Sequence, residues 1–127
     1  MRSMGHGQFS LNVLDVGQGL SVVVQTKNHT LVYDTGNAFS DRFNMADQVL
    51  LPFFRNREIA RLDRLIISHA DHDHAGASKK LLNKIKVNEV LSGEVKRVTE
   101  KFTVDSKSCI KGQEWQWDGV LFQILRH

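Results

Sequence analysis

The chain of 127 residues holds one cysteine, Cys109. No internal disulfide framework can therefore brace the fold, and a lone thiol does not indicate the redox compartment. No apolar run approaches the roughly 20 residues that a membrane-spanning helix needs, which predicts a soluble chain. Repeats, linkers and low-complexity segments are missing too, and the length suits one domain with a core of its own. Charge of either sign is nearly balanced. The net of +3 suits a polyanionic partner but is too weak to specify one. Residues 1–8 show no hydrophobic periodicity, and no apolar segment follows Arg2, so they are not a signal peptide. A tag or disordered leader is expected there, with the domain over residues 9–127.

What the sequence does have is a dense polar cluster behind an apolar run. Leu65-Ile66-Ile67 leads into Ser68-His69-Ala70-Asp71-His72-Asp73-His74-Ala75-Gly76. A β-branched run followed by polar residues and a glycine predicts a buried strand opening into a loop. Loops at such strand ends are where α/β proteins keep their chemistry. Five of the six residues from His69 to His74 carry metal-binding side chains. In an extended loop alternate side chains share a side, so His69 and Asp71 can meet one ion. A turn permitted by Gly76 would aim Asp73 and His74 at a second ion. Two-metal hydrolases need this kind of arrangement, with cations about 3.5–4 Å apart. A solvated polar loop is the other reading, but the density of the cluster and the strand before it favour metal.

The pattern Ser-His-x-Asp-x-Asp-His-x-Gly resembles the His-x-His-x-Asp-His signature of the metallo-β-lactamase superfamily. More narrowly, it is similar to the metallo-β-lactamase-like domain of ComEC-type DNA-internalisation competence proteins, in which Asp replaces the second His. Further stretches resemble that family in order: Asp15-Val16-Gly17-Gln18-Gly19, Tyr33-Asp34-Thr35-Gly36, Leu51-Pro52 before Leu62-Asp63, and Trp115-Gln116-Trp117-Asp118-Gly119-Val120. Ala77 stands where the family usually has a second glycine, a tolerable exchange for a small residue. The resemblance implies His69 and Asp71 as ligands of a first metal, and Asp73 and His74 as ligands of a second. Asp73 would also position the attacking water, and Asp34 would brace the metal loop from beneath; His72 falls outside the ligand register. Asp71 in place of an imidazole hardens the site, favouring manganese or magnesium, with zinc possible.

The rest of the chain predicts elements to carry that loop. Alternation over Phe9 to Val16, a break at Gly17-Gln18-Gly19, and apolar runs at Leu20–Thr26 and Thr30–Tyr33 suggest an antiparallel meander. His29, in the Asn28-His29 turn, is expected to be exposed. Asp15 ends a strand before a glycine turn, where a carboxylate ordinarily caps the turn. A polar loop is expected over Ala38 to Asn44. Met45, Val49 and Phe53 have helical spacing, with a kink or a late start forced by Pro52. Arg55, Arg57, Arg61 and Arg64 form a basic series, ordinarily a solvated face but able to track phosphates. A helix over Ala77 to Ile85, a strand over Val87 to Leu91 and a helical spacing over Glu94 to Phe102 follow. Trp115 to Leu125 looks like a hairpin turning at Asp118-Gly119, its tryptophans packing on a sheet.

This order suits an α/β chain in α+β layers, a mixed sheet with helices on one face. The family resemblance makes it part of a metallo-β-lactamase αββα sandwich, because after His74 only His127, Asp105 and Asp118 remain as candidates for the downstream ligands. It implies the N-terminal half of such a domain, within a membrane-embedded DNA-uptake channel protein of the bacterial inner membrane. DNA is the implied substrate or partner, and homo-oligomerisation through the uncovered sheet face is expected. Metal in such a half is expected to be absent or weakly held, and the half itself inactive. Three functions fit: a metal-dependent nuclease domain, a non-catalytic DNA-handling module, or another hydrolase of the superfamily. Asp71 and the flanking stretches favour the first two.

Overall fold

The structure, a computed structural model, describes residues 4–15, 20–34, 45–67, 84–93, 95, 106–108 and 112–125. The elements run β1 (Ser10–Asp15), β2 (Leu20–Gln25), β3 (Thr30–Tyr33), α1 (Met45–Asn56), β4 (Arg61–Leu62) and β5 (Arg64–Ile67). After these come β6 (Lys86–Val87), β7 (Val90–Ser92), β8 (Lys107–Ser108), β9 (Glu114–Trp117) and β10 (Val120–Gln123). Among the described residues the main sheet has the order β1-β2-β3-β5-β7-β8. The meander β1–β2–β3 is antiparallel as expected, and β3, β5, β7 and β8 pair in parallel. The expected layer arrangement, a mixed sheet in part of an αββα sandwich, is what the chain forms.

Parallel strands must be covered on both faces, and β5 accordingly is buried along most of its length. Leu65 and Ile67 point to one side, where Val23, Val32 and Val90 join them against Leu50 and Phe54 of α1. The helix extends from Met45 with Pro52 inside it, rather than starting late. Pro52 deprives the Gln48 carbonyl of its partner, but both residues are exposed, so water can take that role. At the helix end Ile59 N–H donates to the Phe54 carbonyl (2.8 Å) and Glu58 N–H to that of Arg55 (3.1 Å). With Glu58 at φ 58°, these bonds form a Schellman stop that turns the chain toward β4.

The opposite face is not bare. Leu31, Ile66 and Leu91 pack there with Ile124, Trp115, Trp117 and Phe122 of the β9–β10 hairpin. This corrects the expectation of a sheet face wholly without a partner: the hairpin covers the β3–β5–β7 part. Beyond it, Phe9, Leu11, Val13 and Leu20 remain more than half exposed. A two-stranded hairpin is marginal alone, so docking must hold it. The Trp115 and Phe122 rings stack at 5.3 Å, and the Arg64 guanidinium lies 4.2 Å from the Trp115 centroid. Such contacts contribute about 0.5–1.5 kcal/mol per ring pair and about 0.5–2 kcal/mol for the cation. Arg64 Nη1 and Trp115 Nε1 lack an acceptor among the described residues, which offsets part of that gain.

The hairpin turn is tied down separately. Asp118 (φ 53°) and Gly119 (φ 82°) are both left-handed, as a two-residue I′ turn requires. The Asp118 carboxylate accepts from Thr26 Oγ1 (2.7 Å), Asn28 N–H (2.7 Å) and Asn28 Nδ2 (2.9 Å), and meets His29 Nδ1 at 3.0 Å. His29 is therefore not simply exposed. It is half-buried and stacks on Trp117 at 4.8 Å, an arrangement invisible locally because its partners lie in the distant hairpin.

Two further expectations need revision. Val87–Leu91 is not one strand: Asn88 and Glu89 part β6 from β7, with Asn88 N–H donating to the Leu62 carbonyl and the Glu89 carbonyl accepting from Leu65 N–H. Lys84 and Ile85 are a turn and a bend, while residues 77–83 of the expected helix lie outside the described residues. So do the loop at 38–44 and most of the stretch at 94–102.

The His29 hydrogen bond, then the Thr26 hydroxyl and the Asn28 N–H, hold the Asp118 carboxyl well below the usual carboxylate range. A carboxyl depressed in the folded state stabilises the fold fully above the unfolded pKa, about 3.9, and loses that effect as pH falls through the lower folded value. Asp118→Asn should thus lower the thermal midpoint by several degrees at neutral pH. Its deficit against the parent chain should narrow as the pH is taken below about 4. Calorimetric melts over that range check this; a deficit independent of pH would contradict it.

Candidate metal centre

Strand directions decide which residues meet at one edge. β1 and β3 both run antiparallel to β2, and β5 and β7 run parallel to β3. The carboxyl ends of all four therefore share an edge, which brings together Asp15, Asp34, Ile67 and Ser92. In open α/β sheets this is where ligands bind. The cluster starting at Ser68 follows directly on Ile67, so the chain delivers it to this edge.

Beneath that edge the structure is tightly arranged. Ser21 and Ser92 are completely buried, small polar residues where the strands give way to loops. Ser21 Oγ donates to the Asp34 carbonyl (2.6 Å), and Asp34 N–H donates to the Ile66 carbonyl (2.9 Å). Asp34 adopts φ 57°, a left-handed conformation that Asp tolerates better than most residues. Its backbone is thus fastened to β2 and to β5 at the point where the cluster begins. Asp34 lies at the carboxyl edge, while the stretch it is expected to brace lies outside the described residues. Asp15 ends β1 on the same edge.

The ligands expected from the sequence, His69, Asp71, Asp73 and His74, lie outside the described residues, as does His72. Among the described residues no three His, Cys, Asp or Glu side chains gather as a metal site. The fit to a metal therefore rests on donor chemistry and on the edge that receives it. Two imidazoles and two carboxylates within six residues make a mixed hard and borderline set suited to divalent first-row ions.

Asp118 does not belong to this centre. Its carboxylate is taken up at the β2–β3 turn, the opposite edge of the sheet, by partners in residues 26–29. The Asp118-Gly119 pair announces the hairpin, but nothing nearby in sequence announces its Asp–His contact. The basic series divides as well. Arg64 is held by Glu89 (Nε–Oε1 3.0 Å) and the hairpin tryptophans, and Arg57 lies over the Phe53 ring at 4.8 Å. Arg55 and Arg61 stay exposed.

Comparison with known proteins agrees with this geometry. The sequence profile of the metallo-β-lactamase superfamily matches residues 14–126. Recombination protein 2 of Haemophilus influenzae is 33% identical over 117 residues, covering 92% of this chain and 14% of that protein. Competence protein ComA of Neisseria gonorrhoeae is 35% identical over 117 residues, 92% of this chain and 15% of that protein. The chain thus spans about one seventh of these relatives' length. A metallo-β-lactamase of Cronobacter sakazakii superposes with a TM-score of 0.60 at 18% identity, over 80% of this chain and 45% of that one, a likeness of fold alone. The chain belongs to the metallo-β-lactamase superfamily, and within it to the metallo-β-lactamase-like domain of ComEC-type competence proteins.

Proposed function

We propose that the chain is the N-terminal half of a metal-dependent phosphodiesterase domain that cuts DNA during its uptake. The observation that carries this reading is the donor cluster at 69–74, one residue beyond the buried β5, which ends at the carboxyl edge, in a chain related to competence and recombination proteins. His69 and Asp71 would hold one divalent ion, Asp73 and His74 another. When bound, such ions supply Lewis-acid charge against a phosphate. Asp73 orients the attacking water as a hydrogen-bond acceptor, and Asp34 braces the loop from β3. Asp71 makes the donor set harder than one of imidazoles, favouring manganese over zinc. The parent protein is proposed to be a DNA-uptake channel of the bacterial inner membrane. In this chain no described helix is long and apolar enough to cross a membrane.

The test is nuclease activity of the domain prolonged through its downstream sequence, across a metal series. Cleavage is expected with manganese and only weakly with zinc. Asp73→Ala should reduce it by at least about 100-fold, and Asp71→His should move the preference toward zinc. Cleavage that survives in the Asp73 variant would put the chemistry elsewhere; none under any metal would favour a DNA-handling module without turnover.

The four donors of the cluster by themselves would hold two ions poorly, so the 127-residue chain should retain less than one equivalent of metal after extensive dialysis. Elemental analysis giving a full equivalent would refute that.

The uncovered apolar part of the sheet supports self-association. Leu11 and Val13 are each 55% exposed on β1, and Phe9 and Leu20 each 57% exposed beside it. Exposed apolar patches of this kind drive association. Light scattering should give a dimer or larger species that Leu11→Asp with Val13→Lys converts to monomer. A parent chain that stays monomeric at high concentration would exclude it.

A further inference from the structure

A second feature lies at the amino edge of the parallel strands, away from the donor cluster. There α1, Ile59 and Ala60 just before β4, and Lys84 and Ile85 just before β6 enclose an open groove of about 370 Å³. Arg61 and Lys86 each lie one residue beyond its lining. Its floor is apolar, formed by Leu51, Phe54, Ile59 and Ile85, while Arg55 and Lys84 stand on its lining. Arg61 and Lys86 are direct neighbours in the β4–β6 pairing, and both are exposed. Neighbouring parallel strands lie about 4.8 Å apart, and like charges so placed destabilise a sheet. No carboxylate among the described residues pairs with Arg55, Arg61 or Lys86. Glu58, exposed and adjacent in sequence to the groove, pairs with none of them. Arg55 also offsets the negative end of α1, but Arg61 and Lys86 have no helix end to serve.

We propose that this groove binds single-stranded DNA, its phosphates on Arg55, Arg61 and Lys86 and a base or sugar against the apolar floor. The choice of DNA rests on the DNA-uptake reading above; the choice of a single strand rests on the groove. A duplex presents phosphates to a surface and keeps its bases stacked, whereas a single strand can turn an apolar ring face inward. The aromatic hairpin is not the platform, because His29, Phe122 and Arg64 already pack on its tryptophans.

Fluorescence anisotropy of a short labelled oligothymidylate with the intact chain, in EDTA to prevent cleavage, tests the groove. The triple variant Arg55→Glu, Arg61→Glu, Lys86→Glu should bind at least about tenfold more weakly, with a salt slope shallower by about 2. Lys107→Glu, at the far edge of the sheet, should bind as the parent does. If the charge-reversed chain fails to melt cooperatively, the corresponding glutamines replace the glutamates. Parent-like binding by the triple variant, no binding by the parent at low salt, or equal binding of a duplex would each overturn the proposal. So would capture by phosphatidylglycerol vesicles that the variant alone loses, with oligonucleotide binding unchanged. None of these outcomes bears on cleavage by the longer domain, which the metal series decides separately.

Discussion

Parallel strands demand cover on both faces, and in this chain that demand falls hardest on β5. It is flanked in parallel by β3 and β7, so its apolar side chains have nowhere to go but into two cores. Leu65 and Ile67 enter the one capped by Leu50 and Phe54, and Ile66 enters the one closed by Ile124 and the hairpin aromatics. The helix and the hairpin are therefore consequences of the parallel set. Removing either would leave buried-type surface in water, at about 25 cal/mol for each Å² of apolar area. The same strand ends where the candidate donor cluster begins in sequence, so the residue that precedes the cluster is rooted in a buried strand.

How much of this is legible in the sequence follows from the range of the interactions. The meander is readable because alternation and turn residues act locally: Thr30–Tyr33 coincides with β3, and Asp118-Gly119 marks the β9–β10 turn. Leu65-Ile66-Ile67 is readable because a short apolar run with two β-branched isoleucines, followed by polar residues, suits a buried strand. Arg64 looks like one more member of a basic series, since nothing beside it foretells Glu89 or the two tryptophans. His29 misleads for the same reason: Asp118 lies across the fold from the turn it fastens. Val87–Leu91 looks continuous because its apolar ends conceal a bend that Leu62 and Leu65 impose through backbone hydrogen bonds. The candidate ligands are legible as chemistry alone, because donor types and spacing are sequence properties and their spatial arrangement is not.

The two edges of the sheet differ in what they offer. The carboxyl edge ends in Asp15 and Asp34 beside the buried Ser21 and Ser92, with the donor cluster next in sequence after β5. The amino edge carries acids too, but Asp63 accepts from the Thr30 N–H and Asp118 is taken up at the β2–β3 turn. Strands β4 and β6, by contrast, bring cations there without such partners among the described residues. Their exposed ends carry Arg61 and Lys86 side by side. The repulsion between them is a standing cost, relieved when an anion lies across both.

Asp34 shows how the carboxyl edge is kept in shape. A non-glycine residue in the left-handed region costs about 1 kcal/mol or more, and such a conformation persists only where neighbours over-determine it. Its N–H is committed to the Ile66 carbonyl and its carbonyl to the buried Ser21 hydroxyl. Each bond contributes about 0.5–1.5 kcal/mol net, enough together to offset the strain. The chain therefore leaves β3 in a direction set by β2 and β5 rather than by its own preference. Because one of those fastenings is the carbonyl of Ile66, two residues before Ser68, any shift of Asp34 pulls on the strand that carries the cluster. Loss of the Ser21 hydroxyl would accordingly be felt at Asp34 and, through the Ile66 carbonyl, at the end of β5.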